Sequence, residues 1–236
     1  MQRIGYEPLI AHALLELLAR RGEADIQGVA EKAGVSETIA CSVIEEMARE
    51  ASGLLSLEGC ASVTTQSVLE LALYMISKGF LAPEKAARLL DWRLFEEFAS
   101  RVLASYGYKV YRHVYKPPPR GFEVDVVAIE PVTRLAIAVD CKHWSPRHTS
   151  PSRLREAARR HSERVRLLAV YWGLARNMNP RPAKPSRLLP VLLVLRENLP
   201  RIVDGVAIVP ASRLRGFMEQ LDYVLEDPAI RLIEPP

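Results

Sequence analysis

Two apolar segments of eight residues, joined by a short turn, place the strongest limit on how this chain folds. The segments are Phe122–Ile129, in which half of the residues are β-branched, and Leu135–Lys142, and the turn lies at residues 131–134. This pattern predicts a β-hairpin. A third strand is predicted at 108–115, because its residues alternate and the turn-forming cluster 117–121 follows it. The middle of the chain is therefore predicted to be rich in strands.

Helices and further strands are predicted on both sides of these three strands. A long amphipathic helix from Asp91 ends at Gly107, and a second helix, about 152–177, continues until the proline-rich stretch 179–186. The remaining segments are two buried strands and a closing helix, at 188–195, 202–209 and 212–225. The element order αβββαββα predicts an α/β domain with a mixed sheet flanked by helices.

The first part of the chain has a different, mainly helical pattern. Apolar residues at helical spacing predict four helices, with two short strands that would form a wing between the third and the fourth. These segments are 7–20, 25–33, 36–49, 54–57, 61–64 and 65–79. The turn at Gly34 and Val35 gives the second and third helices a helix-turn-helix outline. A mainly α winged helix-turn-helix domain is predicted at 1–80 and the α/β domain at 81–236, with a linker helix at about 82–90.

Charge and cysteine content distinguish the two parts and exclude several classes of protein. Residues 1–79 carry a net charge of −5 and the remainder carries +9, so the second part suits an anionic partner. The longest uncharged apolar runs are far shorter than a membrane span, which argues against a membrane protein. Cys41, Cys60 and Cys141 are odd in number and widely spaced, so we expect a reducing cytoplasm rather than a disulfide framework.

Acidic and basic side chains come together at one end of the predicted hairpin. Asp140 and Lys142 are two positions apart on one strand and so face the same side. Asp125, on the preceding strand, is expected close to Asp140. Two adjacent carboxylates repel each other unless a cation lies between them, and oxygen ligands of this kind suit Mg²⁺ or Mn²⁺. Lys142 would orient or deprotonate a water molecule, or stabilise a transition state.

Three segments carry an ordered set of acidic and basic residues. FEEFASRVLASYGY (95–108) contains Glu96, GFEVDVVAIE (121–130) contains Asp125, and AVDCKHW (138–144) contains the acid-x-Lys triplet. In this order the segments resemble the motifs of the PD-(D/E)xK nucleases, and within them the Mrr-like and archaeal Holliday-junction-resolvase-like branches. The chain departs from these branches in using aspartate in the triplet, where Glu or Gln is commoner. It also has no identifiable counterpart of the polar residue that some members carry in the next helix.

The resemblance covers about residues 91–225 in element order and implies a restriction-endonuclease-like fold. The implied activity is a metal-dependent DNA endonuclease, for which structure-specific cleavage and Mrr-like restriction or repair both stay open. The implied ligands of Mg²⁺ or Mn²⁺ are Asp125, Asp140, the backbone carbonyl of Cys141 and Glu96, the last bound directly or through water. Lys142 would serve the nucleophile. A homodimer is implied by analogy with the family, because cutting two strands usually needs two sites.

A basic segment follows the acid-x-Lys strand. Residues 143–187 contain 11 Lys and Arg against 2 Asp and Glu. Six arginines lie mostly off the apolar face of the predicted helix and would neutralise DNA phosphates, namely Arg153, Arg155, Arg159, Arg160, Arg164 and Arg166. The alternative is a charged face that contacts only solvent.

Each candidate site residue also has a structural interpretation. Asp125, Asp140 and Lys142 would suit an exposed salt bridge between strands. Glu96 would suit a surface position on its helix, since the adjacent Glu97 makes the register uncertain.

Other residues have alternatives of the same kind. Glu123 is either an extra ligand or an exposed strand residue, and His161 is either a core histidine or a catalytic one. A zinc site formed by Cys141, His143 and His148 would have an unusual spacing.

Two further functions compete with the nuclease. The predicted recognition helix has no Lys or Arg before Arg49, so the first domain would contact either DNA or protein. A non-catalytic DNA-binding protein or transcriptional regulator that keeps the nuclease fold is the main alternative. An interaction adaptor is the other, and it would bind DNA weakly.

Overall fold

The structure, a computed structural model, describes residues 5–51, 53–142 and 150–236. The chain divides into two compact units, Met1–Leu94 and Phe95–Pro236. Among the helices of the described ranges, none has the length and apolar character needed to cross a bilayer.

The first unit contains five helices and a three-stranded antiparallel sheet. The helices are α1 (Glu7–Arg21), α2 (Ile26–Ala33), α3 (Glu37–Glu50), α4 (Val68–Ser77) and α5 (Pro83–Leu89). The strands are β1 (Glu23–Asp25), β2 (Leu55–Glu58) and β3 (Ser62–Thr65), in the order β1-β3-β2. Side-chain caps start α2 and α3, where Asp25 accepts from the Gly28 amide at 2.5 Å and Ser36 accepts from the Ile39 amide at 3.3 Å. Strand β1 has no counterpart among the predicted elements.

A disulfide joins Cys41 of α3 to Cys60 of the β2–β3 turn. The expectation of reduced cysteines is therefore wrong for this pair. The turn lies against α3 with the two Cα atoms 5.6 Å apart, and a separation of 19 residues along the chain gives no sign of that approach. Cys141 is a free thiol.

The second unit is built on a six-stranded mixed sheet in the order β4-β5-β6-β7-β9-β8. Its strands are β4 (Lys109–Lys116), β5 (Phe122–Ile129), β6 (Leu135–Lys142), β7 (Arg187–Val194), β8 (Ile202–Val203) and β9 (Val206–Pro210). Its helices are α6 (Trp92–Ser105), which begins just ahead of the unit, α7 (Pro151–Val170), α8 (Leu214–Glu219) and α9 (Leu221–Glu226). Strands β4, β5 and β6 are antiparallel, whereas β7 runs parallel to β6 and to β9. The predicted mixed sheet flanked by helices is confirmed.

Three predicted elements differ from those observed. The closing helix predicted at 212–225 is divided into a 3-10 turn, Ala211–Arg213, and the two short helices α8 and α9. Helix α7 ends at Val170, short of the predicted position 177, and a 3-10 turn follows at Trp172–Leu174. The predicted strand 202–209 is a tight hairpin, β8–β9, whose turn residues Asp204 and Gly205 have φ of 50° and 85°. An Asp-Gly pair favours a two-residue turn of this kind, so the signal was present in the sequence.

Helix α7 is fixed to the sheet by its apolar face. Val165 and Leu168 pack in one core cluster with Val127 and Ala138, and Leu154 packs in a second cluster on the same helix. Burying a side chain of this size contributes roughly 1.5–3 kcal/mol. The arginine-rich face of α7 is therefore held in place beside the end of β6.

Candidate active site

The candidate site lies where β5 and β6 stop pairing with each other. The last antiparallel pair is Val126 with Val139, and Asp125 and Asp140 come directly after it. A hydrogen bond from the Cys141 amide to Oδ2 of Asp125, at 2.7 Å, links the two strands at this point. The hairpin thus brings Asp125 next to the acid-x-Lys triplet.

Asp140 is held between two cationic side chains. Its carboxylate is only 1% exposed, with Nζ of Lys142 at 2.7 Å from Oδ2 and Nη2 of Arg164 at 2.9 Å from Oδ1. Burial alone would raise the pKa of Asp140, but nearby positive charge on His161, Lys142 and Arg164 outweighs it and lowers that pKa. Lys142 and Arg164 supply this charge at neutral pH, when the buried His161 is uncharged.

Asp125 and Cys141 experience the opposite effect. Burial raises the pKa of Asp125, and the negative charge of Asp140 raises it further, against the hydrogen bond from the Cys141 amide. Burial also raises the pKa of the Cys141 thiol, to which the charges of Asp125, Asp140 and Glu96 add. The thiol stays protonated at neutral pH, which disfavours it as a zinc ligand. Asp125, Asp140 and Glu96 therefore all lie close enough to Cys141 for their charges to raise the pKa of its thiol.

Glu96 belongs to the inward face of α6. It is fully buried, whereas the adjacent Glu97 is exposed and pairs with Arg101 at 3.9 Å. Nε2 of His113 lies 3.2 Å from Oε2 of Glu96, and Nη2 of Arg112 lies 3.9 Å from the same oxygen. The structure thus places Glu96, and not Glu97, on the side of the site.

His113 is a site residue that the sequence analysis did not identify. Arg112 pairs with Val126 and Val114 pairs with Val124, so His113 lies opposite Asp125 in the β4–β5 register. Its φ of 50° is uncommon for a residue with a side chain and interrupts the ladder at this position. No periodic pattern signals such a conformation. The turn predicted at 117–121 is the signal that could have found His113, because antiparallel pairing across this turn brings residue 113 opposite residue 125.

The remaining histidine and acid candidates have peripheral positions. His161 is fully buried beneath β6, and its Nε2 donates to the Ala138 carbonyl at 2.9 Å. Burial lowers its pKa to about 4, as expected for a neutral core histidine. Glu123 is largely exposed, with Oε1 at 3.9 Å from Nδ1 of His113. His143 and His148 lie outside the described residues, as does the tryptophan of the third motif.

The six arginines of α7 have unequal surroundings. Arg159 and Arg160 pair with Glu156 at 3.2 Å and 2.5 Å, and Arg166 pairs with Glu163 at 3.5 Å. Arg164 binds Asp140. Arg153 and Arg155 are exposed and form no ion pair with any residue in the described ranges.

The donor chemistry of the site suits a hard divalent cation. Asp125, Asp140, Glu96 and the Cys141 carbonyl supply only oxygen atoms. The pKa of Asp125 is raised first by burial and then by the charge of Asp140, and a cation would relieve that repulsion. Among described side chains, however, only Cys41, Glu45 and Cys60 place three ligand atoms within 4.8 Å of one another, and the two cysteines are joined as a disulfide. Carboxylate oxygens of Asp125, Asp140 and Glu96 do not all lie within 4.8 Å of one another.

Two known proteins are similar to parts of this chain. An uncharacterized protein of Archaeoglobus fulgidus is 26% identical over 139 residues, which span 58% of this chain and 97% of the relative. The crystal structure of protein VC1899 from Vibrio cholerae aligns with 93% of this chain at 13% identity and a TM-score of 0.36. The alignment covers 52% of the Vibrio protein, so this chain spans about half of its length.

A family model matches the middle of the chain. Residues 87–167 match the Mrr catalytic-domain family, described as a restriction endonuclease. The matched range includes Glu96, Asp125, Asp140 and Lys142. This match supports a restriction-endonuclease-like nuclease domain of the PD-(D/E)xK superfamily, Mrr-like, in this part of the chain.

Proposed function

We propose that the second unit is a Mg²⁺- or Mn²⁺-dependent deoxyribonuclease that hydrolyses phosphodiester bonds at Asp125, Asp140 and Lys142. The observation that carries the proposal is the buried Asp140 carboxylate beside Lys142, whose side chain is still 24% exposed. Burying ionic groups is expensive, and such arrangements with shifted pKa values concentrate at functional sites. An exposed structural salt bridge between strands would need no such burial.

The acids would hold the metal ion. Asp125, Asp140 and the Cys141 carbonyl are its proposed ligands, with Glu96 bound directly or through water. When bound, the ion would activate water and neutralise charge on the phosphate. Lys142 and Arg164 each contact one oxygen of Asp140, so the ion would share these oxygens with the two cationic groups.

Lys142 is proposed to act electrostatically at the reacting phosphate. During hydrolysis the water oxygen bonds to phosphorus, the bond from phosphorus to one ester oxygen breaks, and that oxygen leaves with a proton. An ammonium group at the exposed edge of the site would orient the attacking water and stabilise negative charge on the phosphate. Its ion pair with Asp140 fixes the ammonium group at the end of β6.

One observation favours a second candidate, a non-catalytic DNA-binding protein that keeps the nuclease fold. Arg164 contacts Asp140 at 2.9 Å, so the guanidinium group already supplies positive charge at a proposed metal ligand. If the guanidinium group replaced the metal permanently, the domain would bind DNA through its basic helix without cutting it.

Cleavage assays would distinguish the two candidates. Labelled linear, branched and single-stranded DNA would be incubated with Mg²⁺, Mn²⁺ or EDTA, using wild type, Asp140→Ala and Lys142→Ala. Metal-dependent cleavage that is lost in both variants is the expected result. Binding without cleavage on every substrate would favour the non-catalytic protein. If the wild-type protein bound none of these DNA molecules, the result would favour the interaction adaptor.

For the first unit we propose a winged helix-turn-helix domain at residues 1–80, ahead of the nuclease domain at 81–236. Helices α2 and α3 with strands β2 and β3 support it. The exposed face of α3 carries Glu37 and Glu45, which disfavours contact with phosphates and supports a protein contact such as homodimerisation. A cytoplasmic location is also proposed. A disulfide there is uncommon outside proteins of hyperthermophilic organisms.

A further inference from the structure

A cavity of about 760 Å³ opens beside the candidate active site, within the second unit. We call it the α7 cavity, and its cationic lining residues are Lys142, Arg153, Arg159, Arg160 and Arg164. Lys142 and Arg164 both contact Asp140, so one end of the α7 cavity is formed by the groups that hold the acid of the acid-x-Lys triplet. A nucleic acid bound in the cavity would therefore extend to the phosphate group that reacts at the candidate active site.

The charge of the α7 cavity suits an anionic ligand. Five cationic side chains face two acids, Glu156 and Glu163. Glu156 is shared between Arg159 and Arg160, and Glu163 pairs with Arg166, which lies outside the lining. Arg153 has no ion-pair partner within the described part of the chain. Positive charge in the cavity thus exceeds what its own acids neutralise.

The side chains that line the cavity suit the backbone of a nucleic acid rather than its bases. The described residues that line the cavity are charged apart from Ala157, so the groups that they offer to a nucleic acid bind phosphate rather than stack on bases. Arginine side chains instead donate to phosphate oxygens, a contact that positions a strand without identifying its sequence. The cavity therefore favours binding of sugar and phosphate.

The length of the cavity exceeds that of one phosphate. Arg153 and Arg164 are eleven residues apart on α7, which corresponds to about 16 Å along the helix axis. Successive phosphates of one DNA strand rise by only about 3.4 Å along the duplex axis. The arginines can therefore contact several phosphates of one strand.

We propose that the α7 cavity binds the sugar-phosphate backbone of the strand being cut, over more than one phosphate adjacent to the scissile bond. The ligand assignment rests on the proposed nuclease function. The proposal assigns strand binding to the four arginines that line the cavity, whereas Arg155 and Arg166 lie outside it.

Two double variants with the same change in net charge test whether arginines inside the cavity bind the strand and arginines outside it do not. Arg153→Gln with Arg160→Gln removes one arginine without an ion pair and one paired with Glu156, both lining the cavity. Arg155→Gln with Arg166→Gln removes one arginine without an ion pair and one paired with Glu163, both outside. Each double variant lowers the charge of α7 by two. Far-UV circular dichroism and thermal melting would establish that both are folded.

Binding would be measured on the full chain in EDTA, with single-stranded and duplex oligonucleotides over a series of salt concentrations. The cavity variant should reduce the slope of log K against log salt by about 2, since each lost phosphate contact contributes about 1. The outer variant should change the slope by less than half as much. Changing the oligonucleotide sequence should leave both results as they are.

A second measurement locates the contact along the strand. Single methylphosphonate linkages, which are uncharged, would be placed at each position near the cleavage point. Wild type should lose affinity at two or more neighbouring linkages, and the cavity variant should be insensitive only at those of them that Arg153 and Arg160 contact in wild type. Equal slope changes for the two double variants, or no binding by wild type, would overturn the proposal.

The outcomes also separate this proposal from the nuclease proposal. A slope difference in EDTA without any metal-dependent cleavage would support the backbone site and overturn the nuclease. Cleavage with equal slopes would overturn the backbone site and leave the nuclease standing.

Discussion

Asp125 and Asp140 lie on adjacent strands of one site, yet their surroundings shift their pKa values in opposite directions. Asp140 is the more deeply buried of the two, and two cationic groups within 2.9 Å stabilise its charge. Asp125 receives one backbone hydrogen bond and the repulsion of Asp140, and burial raises its pKa. The site therefore has one carboxylate that two cationic groups contact directly and one, Asp125, that forms no ion pair with any described residue and feels Lys142 and Arg164 only from a distance. Such paired environments are how a fold prepares two acids for different roles.

The largest expected effect is that of removing the compensated charge. Asp140→Asn leaves Lys142 and Arg164 next to a neutral group, and breaking a buried ion pair in this way costs about 3–5 kcal/mol. We expect urea denaturation without metal to show a loss of that size. The control is Glu197→Gln, which breaks the more exposed pair with Arg213 at 3.6 Å and should cost about 0–1 kcal/mol. Similar losses in the two variants would show that Asp140 is not compensated as described.

The next effect concerns the histidine beneath Asp140 and its dependence on pH. His161 has a pKa of about 4 in the folded protein, against 6.5 for an unperturbed histidine, so the unfolded chain binds the proton more readily. Its contribution to stability is fully present above pH 6.5 and is lost as the pH falls towards 4. The loss amounts to about 3 kcal/mol at most, at 1.36 kcal/mol per pKa unit.

Comparison with His161→Gln isolates this contribution. Glutamine can still donate to the Ala138 carbonyl but does not titrate. Asp125 acts with the opposite sign, since its raised pKa makes protonation favour the folded state as the pH falls, and both proteins retain that effect. The free energy of unfolding should therefore fall more steeply with acid in wild type than in the variant. Parallel curves would mean that His161 is not a buried neutral residue.

An intermediate effect tests the α6 side of the site. Glu96→Gln should lower the rate of metal-dependent cleavage by about 10–100-fold, the range typical of a group that supports a metal site. The adjacent Glu97→Gln should leave the rate within twofold, because Glu97 lies on the exposed face of α6. Equal rates in both variants would remove Glu96 from the site.

The sequence predicts the hairpin and its acids well because the two signals are local. The two apolar segments and the turn between them fix β5 and β6 to the residue, and a spacing of two positions fixes the common face of Asp140 and Lys142. The left-handed backbone of His113 and the approach of Cys60 to Cys41 depend on tertiary packing, which a single sequence does not display. Arg164 is an intermediate case. It lies three residues after His161, so helical spacing puts it at the border of the buried face of α7, within reach of β6.

The smallest expected effect is that of removing the charge of Asp125. Asp125→Asn removes the repulsion from Asp140 while an amide oxygen can still accept from the Cys141 amide, so without metal we expect a gain of about 0.2–1 kcal/mol. Mg²⁺ should raise the melting temperature of wild type, because the ion relieves the same repulsion, and should raise that of the variant less. Calorimetry with and without Mg²⁺ measures both changes. If Asp125→Asn destabilised the protein and Mg²⁺ raised both melting temperatures equally, Asp125 would be a structural acid and the metal would bind elsewhere.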